Sequence, residues 1–280
     1  MKKITIGKAI KYVFLILTAL ITVFPVLYTI LGSFKSTAEI LIGGINIFPK
    51  SINFDNYINA WKGANFSKLT LNSVYYAAAI VVITILTSTA GGFAFEKGNF
   101  PGKNIWFAIF TGTMFIALGS ASLYPTLKIA GLFHLNNSIW GVVVVHAFSL
   151  NITNVLLVRG FVRTFENAMY EAAVIDGCNF FQLFTKITLP ILKPMVATLA
   201  ILSFKGAWNE YLLPMIFTMG NPEQAPLAVG LANLKNSGNG ATEWGTIFAA
   251  TCLCMLPILV VYCMFNKYFI DGVTAGAVKG

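Results

Sequence analysis

Residues 171–178 read Glu-Ala-Ala-Val-Ile-Asp-Gly-Cys, residues 187–190 read Ile-Thr-Leu-Pro, and Pro194 follows. This segment is too polar for the hydrocarbon core of a bilayer, yet long apolar runs lie on both sides of it. Asp176-Gly177 is a turn signal, because glycine adopts positive φ without a steric cost. The stretch therefore predicts two short helices joined by a glycine turn, forming a stiff projection between two membrane spans.

The composition supports this interpretation. The chain has 280 residues, of which 57% are hydrophobic and 10% charged, and its mean hydropathy is +0.75. Soluble domains usually carry about 25% charged residues, so a polytopic membrane protein is the first expectation. The first apolar run, 12–33, covers about 33 Å as a helix, which is long enough to remain in the bilayer as a span.

We expect an all-α membrane protein in which residues 1–280 form one transmembrane domain. Its six predicted spans cover about residues 10–34, 68–94, 104–128, 138–160, 193–218 and 245–267. A cytoplasmic loop, 161–192, and a cytoplasmic tail, 268–280, complete it. With the N-terminus inside, basic residues on the cytoplasmic side outnumber those outside by about two to one, which favours both termini in the cytoplasm.

Chemistry-bearing motifs are missing from the sequence. It contains no glycine-rich phosphate-binding loop, so we expect it to hold no nucleotide by itself. The two histidines, His134 and His146, are far apart, and His146 is interpreted as an internal hydrogen-bonding residue of a span. Cys252 and Cys254 are interpreted as small packing residues of the last helix. We therefore predict no catalytic residue and no metal site, and the net charge of +9 indicates topology rather than nucleic-acid binding.

One polar group lies within the fifth predicted span. An ionisable residue at mid-bilayer costs about 2.5–3.5 kcal/mol on insertion scales, so it normally faces protein or a water-filled cavity. Lys205 and Asn209 share a helix face, whereas Lys205 and Glu210 are about 140° apart. Two interpretations remain open: these residues line a translocation path, or they bind a partner subunit. The group comprises Lys205, Trp208, Asn209 and Glu210.

The loop around residues 171–194 has two interpretations from the residues alone: a helix lying on the membrane surface, or a projection bound by a partner. Its sequence, however, resembles the coupling loop of ATP-binding-cassette importer permeases, with Cys178 where alanine is usual. The resemblance implies that the first helix docks in a cleft of a separate ATPase subunit and moves with it. The matching residues are Glu171, Ala172, Ala173, Asp176, Gly177, Ile187, Leu189 and Pro190.

The resemblance extends over nearly the whole chain and is closest to the second permease of maltose-type carbohydrate importers. Phe100-Pro101-Gly102-Lys103 and the tail are part of it, while residues 117–120 depart from the family pattern and leave the solute open. In that group the tail reaches between the two ATPase subunits. The implied tail contacts are Thr274, Ala275, Gly276, Ala277, Val278, Lys279 and Gly280.

The last outer loop, 220–244, is the expected contact with an external binding protein. In the maltose-type group, a loop at this position enters the sugar cleft of the binding protein and helps to expel the ligand. The most flexible stretch is the expected tip, and it comprises Asn236, Ser237, Gly238, Asn239 and Gly240.

The resemblance implies a non-catalytic permease subunit of an ATP-driven carbohydrate importer, with an oligosaccharide as the expected solute, in the bacterial cytoplasmic membrane. Its implied partners are a second homologous permease, two ATPase subunits that bind ATP and Mg²⁺, and an extracellular or periplasmic binding protein. No cofactor is expected in this chain.

Three other functions compete with a carbohydrate importer. The chain's C-terminal tail argues against an importer of another polar solute such as an amino acid or polyamine. An ion-coupled carrier or channel predicts several paired intramembrane carboxylates, of which only Glu210 is evident. A membrane scaffold leaves the Glu171 motif unexplained.

Overall fold

The computed structural model describes residues 6–44, 46–63, 65–116, 119–236 and 243–277, with backbone alone for Ile6, Ala9, 235–236 and 266–277. Every regular element in these ranges is helical, which confirms the all-α fold. The α-helices are α1 (Ile6–Gly32), α2 (Thr37–Ile42), α3 (Asp55–Gly63), α4 (Phe66–Lys97), α5 (Lys103–Thr113), α6 (Leu123–Leu132), α7 (Ile139–Phe148), α8 (Ile152–Val162), α9 (Asn167–Ile175), α10 (Phe180–Gln182), α11 (Leu189–Ile191), α12 (Lys193–Asn209), α13 (Leu212–Thr218), α14 (Leu227–Asn236) and α15 (Trp244–Ala277).

Within the described residues, three helices are long and apolar enough to cross a membrane singly: α1 over Ile10–Gly32, α4, and α15 over Trp244–Phe265. Two further spans are possible if each of two bent helix pairs counts as one, namely α7 with α8 (45°) and Phe180–Ile191 with α12 (78°). The count of six spans therefore stays a prediction.

Three of the predicted spans are not single helices. In 138–160, α7 ends at Phe148 and α8 begins at Ile152. In 104–128, α5 ends at Thr113, and a 3₁₀ turn over Gly119–Ser122 leads into α6. In 193–218, α12 ends at Asn209 and α13 begins at Leu212. Apolar content indicates residence in the bilayer but carries no information about where the backbone leaves the helix.

The chain forms two compact units. The first comprises residues 1–67 and 230–257, and it includes the loop between α1 and α4. The Asn56 amide donates to the carbonyls of Ser33 and Lys35 at 2.8 Å each, and Ser33 Oγ lies 2.7 Å from Tyr57 Oη. The buried Lys35 ammonium donates to the carbonyl of Asn46. This loop is thus folded through polar contacts that satisfy its backbone.

The second unit comprises residues 68–229 and 258–280 and contains the loop between α8 and α12 and the polar cluster at the end of α12. Gly92 lets α4 and α8 approach closely, because a Cβ there would lie 2.5 Å from a methyl carbon of Val158. The main apolar cluster of this unit connects α4 and α8 to the loop between α8 and α12. Its buried members are Phe93, Val158, Val162, Tyr170, Ala173, Leu183, Leu192, Met195 and Leu199.

Candidate functional site

The loop between α8 and α12 begins with α9, whose end is defined by Gly177. Gly177 has φ +85°, in the left-handed region that favours glycine. The Cys178 N–H donates to the Ala173 carbonyl at 2.9 Å and the Gly177 N–H to the Val174 carbonyl at 3.0 Å. These two bonds form a Schellman motif, which satisfies the last carbonyls of α9. The predicted glycine turn is present.

The second helical segment, Phe180–Ile191, starts with a capping box and contains a π-helical stretch. The Asn179 side chain accepts from the Gln182 N–H and the Gln182 side chain from the Asn179 N–H, both at 2.9 Å. The π-helical stretch runs over Leu183–Thr188, just before Pro190, which has no N–H for the helix. The second helical segment is therefore capped at its start and changes to π-helical geometry before Pro190.

Burial divides the predicted coupling residues into two groups. Ala173 is buried in the chain's own apolar cluster, and Ile187 packs against that cluster. In contrast, Glu171, Ala172, Asp176 and Gly177 are exposed. The family motif thus contains residues that build the loop and residues that its outer surface presents.

The exposed surface of this loop is partly apolar although the loop lies outside the predicted spans. Ile175 is 84% exposed, and Val174, Phe180 and Phe181 are exposed as well. A cavity of about 430 Å³ lies between α9 and α10, and it is lined by Lys97, Tyr170, Glu171, Val174, Ile175, Phe180 and Leu183. An apolar patch with a carboxylate at its edge is typical of a protein-protein contact.

Lys97, the last residue of α4, connects that helix to the loop. Its Nζ donates to Asn167 Oδ1 at 2.7 Å and lies 4.4 Å from the centre of the Tyr170 ring. One turn earlier, the Phe93 ring contacts the rings of Tyr170 and Phe180, with centroids 6.4 and 4.8 Å away. The end of α4 therefore holds both helices of the loop.

A buried hydrogen-bonded chain links the two halves of the loop internally. Thr188 Oγ1 donates to the Leu183 carbonyl at 3.0 Å, so it accepts from Tyr170 Oη, which is also 3.0 Å away. Burial raises the pKa of Tyr170, although its hydrogen bond to Thr188 acts in the opposite direction. The phenol therefore stays protonated at neutral pH and keeps this bond.

An ion pair joins the same end of α4 to α8. Arg159 Nε donates to Glu96 Oε2 at 2.9 Å, and the guanidinium lies 4.0 Å from the centre of the Phe107 ring on α5. Lys103 Nζ donates to the carbonyls of Glu96 and Gly98, which satisfies the end of α4. Helices α4, α5 and α8 are thus joined next to the loop.

A second polar cluster lies where α12 ends. Glu210 Oε2 accepts hydrogen bonds from Tyr76 Oη on α4 and from His146 Nε2 on α7, the latter at 3.0 Å. His146 Nε2 is also 3.3 Å from Glu210 Oε1. The interpretation of His146 as an internal hydrogen-bonding residue agrees with this contact, and the structure identifies its partner.

The other predicted residues of the fifth span divide between two faces of α12. Trp208 is buried and stacks on Phe204 with ring centroids 5.3 Å apart. Lys205 and Asn209 are exposed on one face, as their spacing predicts, and the Asn209 amide donates to the Lys205 carbonyl at 2.9 Å. Glu210 is joined to Tyr76 and His146 rather than to Lys205.

The base of the last outer loop is fixed by polar contacts. Lys68 Nζ lies 2.7 Å from Glu223 Oε2, and this bond and charge lower the pKa of Glu223. Gln224 Oε1 accepts from Ser138 Oγ at 2.8 Å and from the Ile139 N–H at 3.2 Å. Asn236 is the last residue of α14. The rest of the predicted tip, Ser237, Gly238, Asn239 and Gly240, lies outside the described residues.

The predicted tail begins inside α15, whose backbone stays helical through Ala277. Thr274, Ala275, Gly276 and Ala277 therefore belong to the backbone of a helix that extends well beyond the predicted end of the last span, at residue 267. Val278, Lys279 and Gly280 lie outside the described residues.

Sequence reasoning missed Tyr76 and Lys97 as members of these sites. Lys97 carried a usable signal, since it is a lysine at the predicted cytoplasmic end of a span and thus next to the coupling loop. Tyr76 carried none, because it is 134 residues from Glu210 in sequence and stands among apolar residues.

Long apolar helices, two bent helix pairs and a structured loop between α8 and α12 identify the chain as a helical membrane protein. A search of family models identifies the binding-protein-dependent transport system inner membrane component over residues 100–274. The chain belongs to this family, whose members are permease subunits of transport systems that work with a binding protein.

Characterised relatives cover almost the entire chain. The diacetylchitobiose uptake system permease protein NgcG of Streptomyces coelicolor is 32% identical over 97% of this chain and 89% of its own length. The arabinooligosaccharides transport system permease protein AraQ of Bacillus subtilis is 30% identical over 95% of this chain and 94% of its own length. One solved structure, a chain of a bacterial ABC transporter involved in the import of the acidic polysaccharide alginate, matches with a TM-score of 0.82 and 25% identity. The match covers 96% of this chain and 98% of the alginate transporter chain.

Proposed function

We propose that this chain is a permease subunit of an ATP-driven carbohydrate importer, with an oligosaccharide as its solute. The observation that carries the proposal is the loop after α8: its exposed face combines Glu171 with apolar side chains, while its inner face is fixed to the end of α4. Relatives named for sugar uptake match nearly the full length of the chain and support carbohydrate as the solute class.

In the proposed mechanism, the loop 161–192 is the site that receives force. Helix α9 docks in a cleft of an ATPase subunit, with Glu171, Ala172, Asp176 and Gly177 at the contact and Ala173, Ile187, Leu189 and Pro190 giving the loop its shape. ATP binding closes the ATPase dimer, the coupling loops move together, and the cavity between the permeases opens outward. Hydrolysis then resets the cycle.

The proposed assembly contains a second homologous permease, two ATPase subunits and an external binding protein. ATP and Mg²⁺ are bound by the ATPase subunits, so this chain contributes no bond-breaking step. Both termini face the cytoplasm, where residues 274–280 reach between the ATPases. Residues 236–240 face the binding protein. The excess of basic residues on the cytoplasmic side supports this orientation.

The experiment that tests the proposal is a gentle extraction of the tagged chain from native membranes, followed by identification of its stoichiometric companions. We expect a second permease together with an ATPase, and a captured binding protein that retains oligosaccharides. Recovery of the chain alone, still transporting in liposomes without ATP, would overturn the proposal in favour of a carrier.

A further inference from the structure

The polar cluster at the end of α12 has a surface that hydrocarbon cannot cover. The Glu210 side chain is 24% exposed and that of His146 is 33% exposed. Lys205 and Asn209 are exposed on the neighbouring face, and a Cβ at Gly206 would meet nothing within 4 Å. Since exposed ionisable groups are costly in lipid, this face requires either water or protein against it.

The backbone at the same place is irregular. Glu210 has φ −69° and ψ 126°, and its N–H donates to the Ala207 carbonyl at 3.3 Å instead of continuing the α-helical pattern. Helix α13 then begins two residues later, at Leu212. At membrane depth, non-helical backbone is tolerated where it is buried in protein or lines a water-filled cavity. The break and the exposed polar face coincide, which favours a hydrated path.

The Glu210 carboxylate is held in one orientation before any solute arrives. Tyr76 and His146 both donate to Oε2, whereas among the described residues Oε1 has only the longer contact of 3.3 Å with His146. A fixed carboxylate oxygen with free acceptor capacity suits a hydroxyl donor, because hydrogen bonds to an ionised acceptor are stronger than neutral ones. Because this side chain is already ordered, solute binding does not require the entropy cost of fixing it.

We propose that Glu210 is a solute-contacting residue that accepts hydrogen bonds from the hydroxyl groups of a passing carbohydrate, with Tyr76 and His146 as its positioning residues. This inference rests on the proposed function and adds a binding subsite to it. The competing role is purely structural: the carboxylate joins α4 and α7 to the end of α12 and touches no solute.

The test uses the complete transporter, purified with its companions and reconstituted in liposomes with its binding protein and ATP. The probe is an equimolar mixture of short oligosaccharides containing arabinose, galactose, glucose or N-acetylglucosamine, and uptake of each is quantified by mass spectrometry. Glu210→Gln should lower uptake about tenfold, as expected for loss of a hydrogen bond to a charged group. It should also change the order in which the oligosaccharides are imported, while assembly and binding-protein-stimulated ATP hydrolysis remain.

Positioning variants separate the two roles. Tyr76→Phe and His146→Gln keep the carboxylate but loosen it, so each should lower uptake less than Glu210→Gln does. Tyr75→Phe is the matched control, because that phenol is exposed on the same helix next to Tyr76 and should leave uptake unchanged.

Three results would overturn the inference. Unchanged uptake by Glu210→Gln excludes a solute contact. Equal loss for every oligosaccharide, together with loss of assembly, assigns a structural role only. Failure of the unmodified transporter to import any component is a different outcome, because it removes the proposed carbohydrate function and the subsite with it.

Discussion

At the scale of single residues, Glu171 is the side chain on which coupling should depend most directly. Its side chain is exposed on α9 and makes no hydrogen bond or ion pair within the part of the chain that the structure describes, so its replacement should not disturb this fold. Glu171→Lys reverses the charge at the proposed ATPase contact. Substrate-stimulated ATP hydrolysis by the reconstituted complex should fall at least about tenfold, with membrane insertion intact.

The matched control for this change is Glu166→Lys. Glu166 is also exposed, precedes α9 and makes no side-chain capping bond, so the same charge reversal there should leave stimulated hydrolysis near normal. Normal stimulation in Glu171→Lys would contradict the proposed contact.

Gly177 gives a second residue-scale prediction, which concerns backbone conformation. Its φ of +85° is a conformation that alanine adopts only under strain, although nothing lies within 4 Å of a Cβ there. Gly177→Ala should therefore destabilise the loop by about 1 kcal/mol, the cost of a left-handed non-glycine residue. Thermal unfolding in detergent should detect a lower midpoint.

Gly160→Ala is the comparison for Gly177→Ala. Gly160 lies inside α8 with open space around a Cβ and without a positive φ, so alanine should be neutral or raise helix stability by about 0.5–1 kcal/mol. If the two variants unfold alike, the end of α9 does not depend on the Schellman motif.

At the scale of elements, the connection between α4 and the coupling loop should carry the movement. Lys97→Met keeps an apolar stem but removes the bond to Asn167 and the cation over Tyr170. We expect the complex to assemble and hydrolyse ATP but to import less solute per ATP, by severalfold, because the loop can then move without α4. The measurement is the ratio of solute imported to ATP hydrolysed in liposomes.

Two variants make the Lys97 result interpretable. Lys97→Arg preserves the charge and should largely restore the ratio. Lys186→Met removes an exposed lysine from the same loop and should leave the ratio unchanged. An unchanged ratio in Lys97→Met would show that α4 receives the movement by another route, such as Phe93.

The sequence predicted those elements whose signals are local. The two short helices expected on either side of the glycine turn are observed over Asn167–Ile175 and Phe180–Ile191, because the glycine turn and the prolines act within a few residues. The break at Glu210 was not predicted, since residues around it are apolar enough for a continuous span. Likewise, the bond between Lys97 and Asn167 joins positions 70 apart, and no local rule reports such a pairing.

At the scale of the whole molecule, the chain leaves much apolar surface to its surroundings. In α1, no residue of the most apolar stretch is buried within the described chain. The three threonines of α1 are satisfied internally: Thr18, Thr22 and Thr29 each donate to the carbonyl four residues earlier. This combination suits a helix surrounded by lipid or by apolar helices of another subunit.

The final prediction concerns the outer surface and the binding protein. The loop base is fixed by Lys68 and Gln224, so changes at residues 236–240 should not disturb the packing of α4 and α7. Deleting 236–240 should reduce solute uptake strongly and spare assembly with the ATPase, because the loop then cannot reach the ligand cleft of the binding protein.

A length-matched replacement of 236–240 by serine and glycine distinguishes reach from chemistry. If the side chains contact the bound ligand, the replacement should fail almost as completely as the deletion. If only loop length matters, uptake should return. Affinity of the binding protein for the assembled transporter, measured beside uptake, identifies the step affected: unchanged affinity with lost uptake assigns this loop to ligand release, whereas unchanged uptake after deletion excludes it from transport.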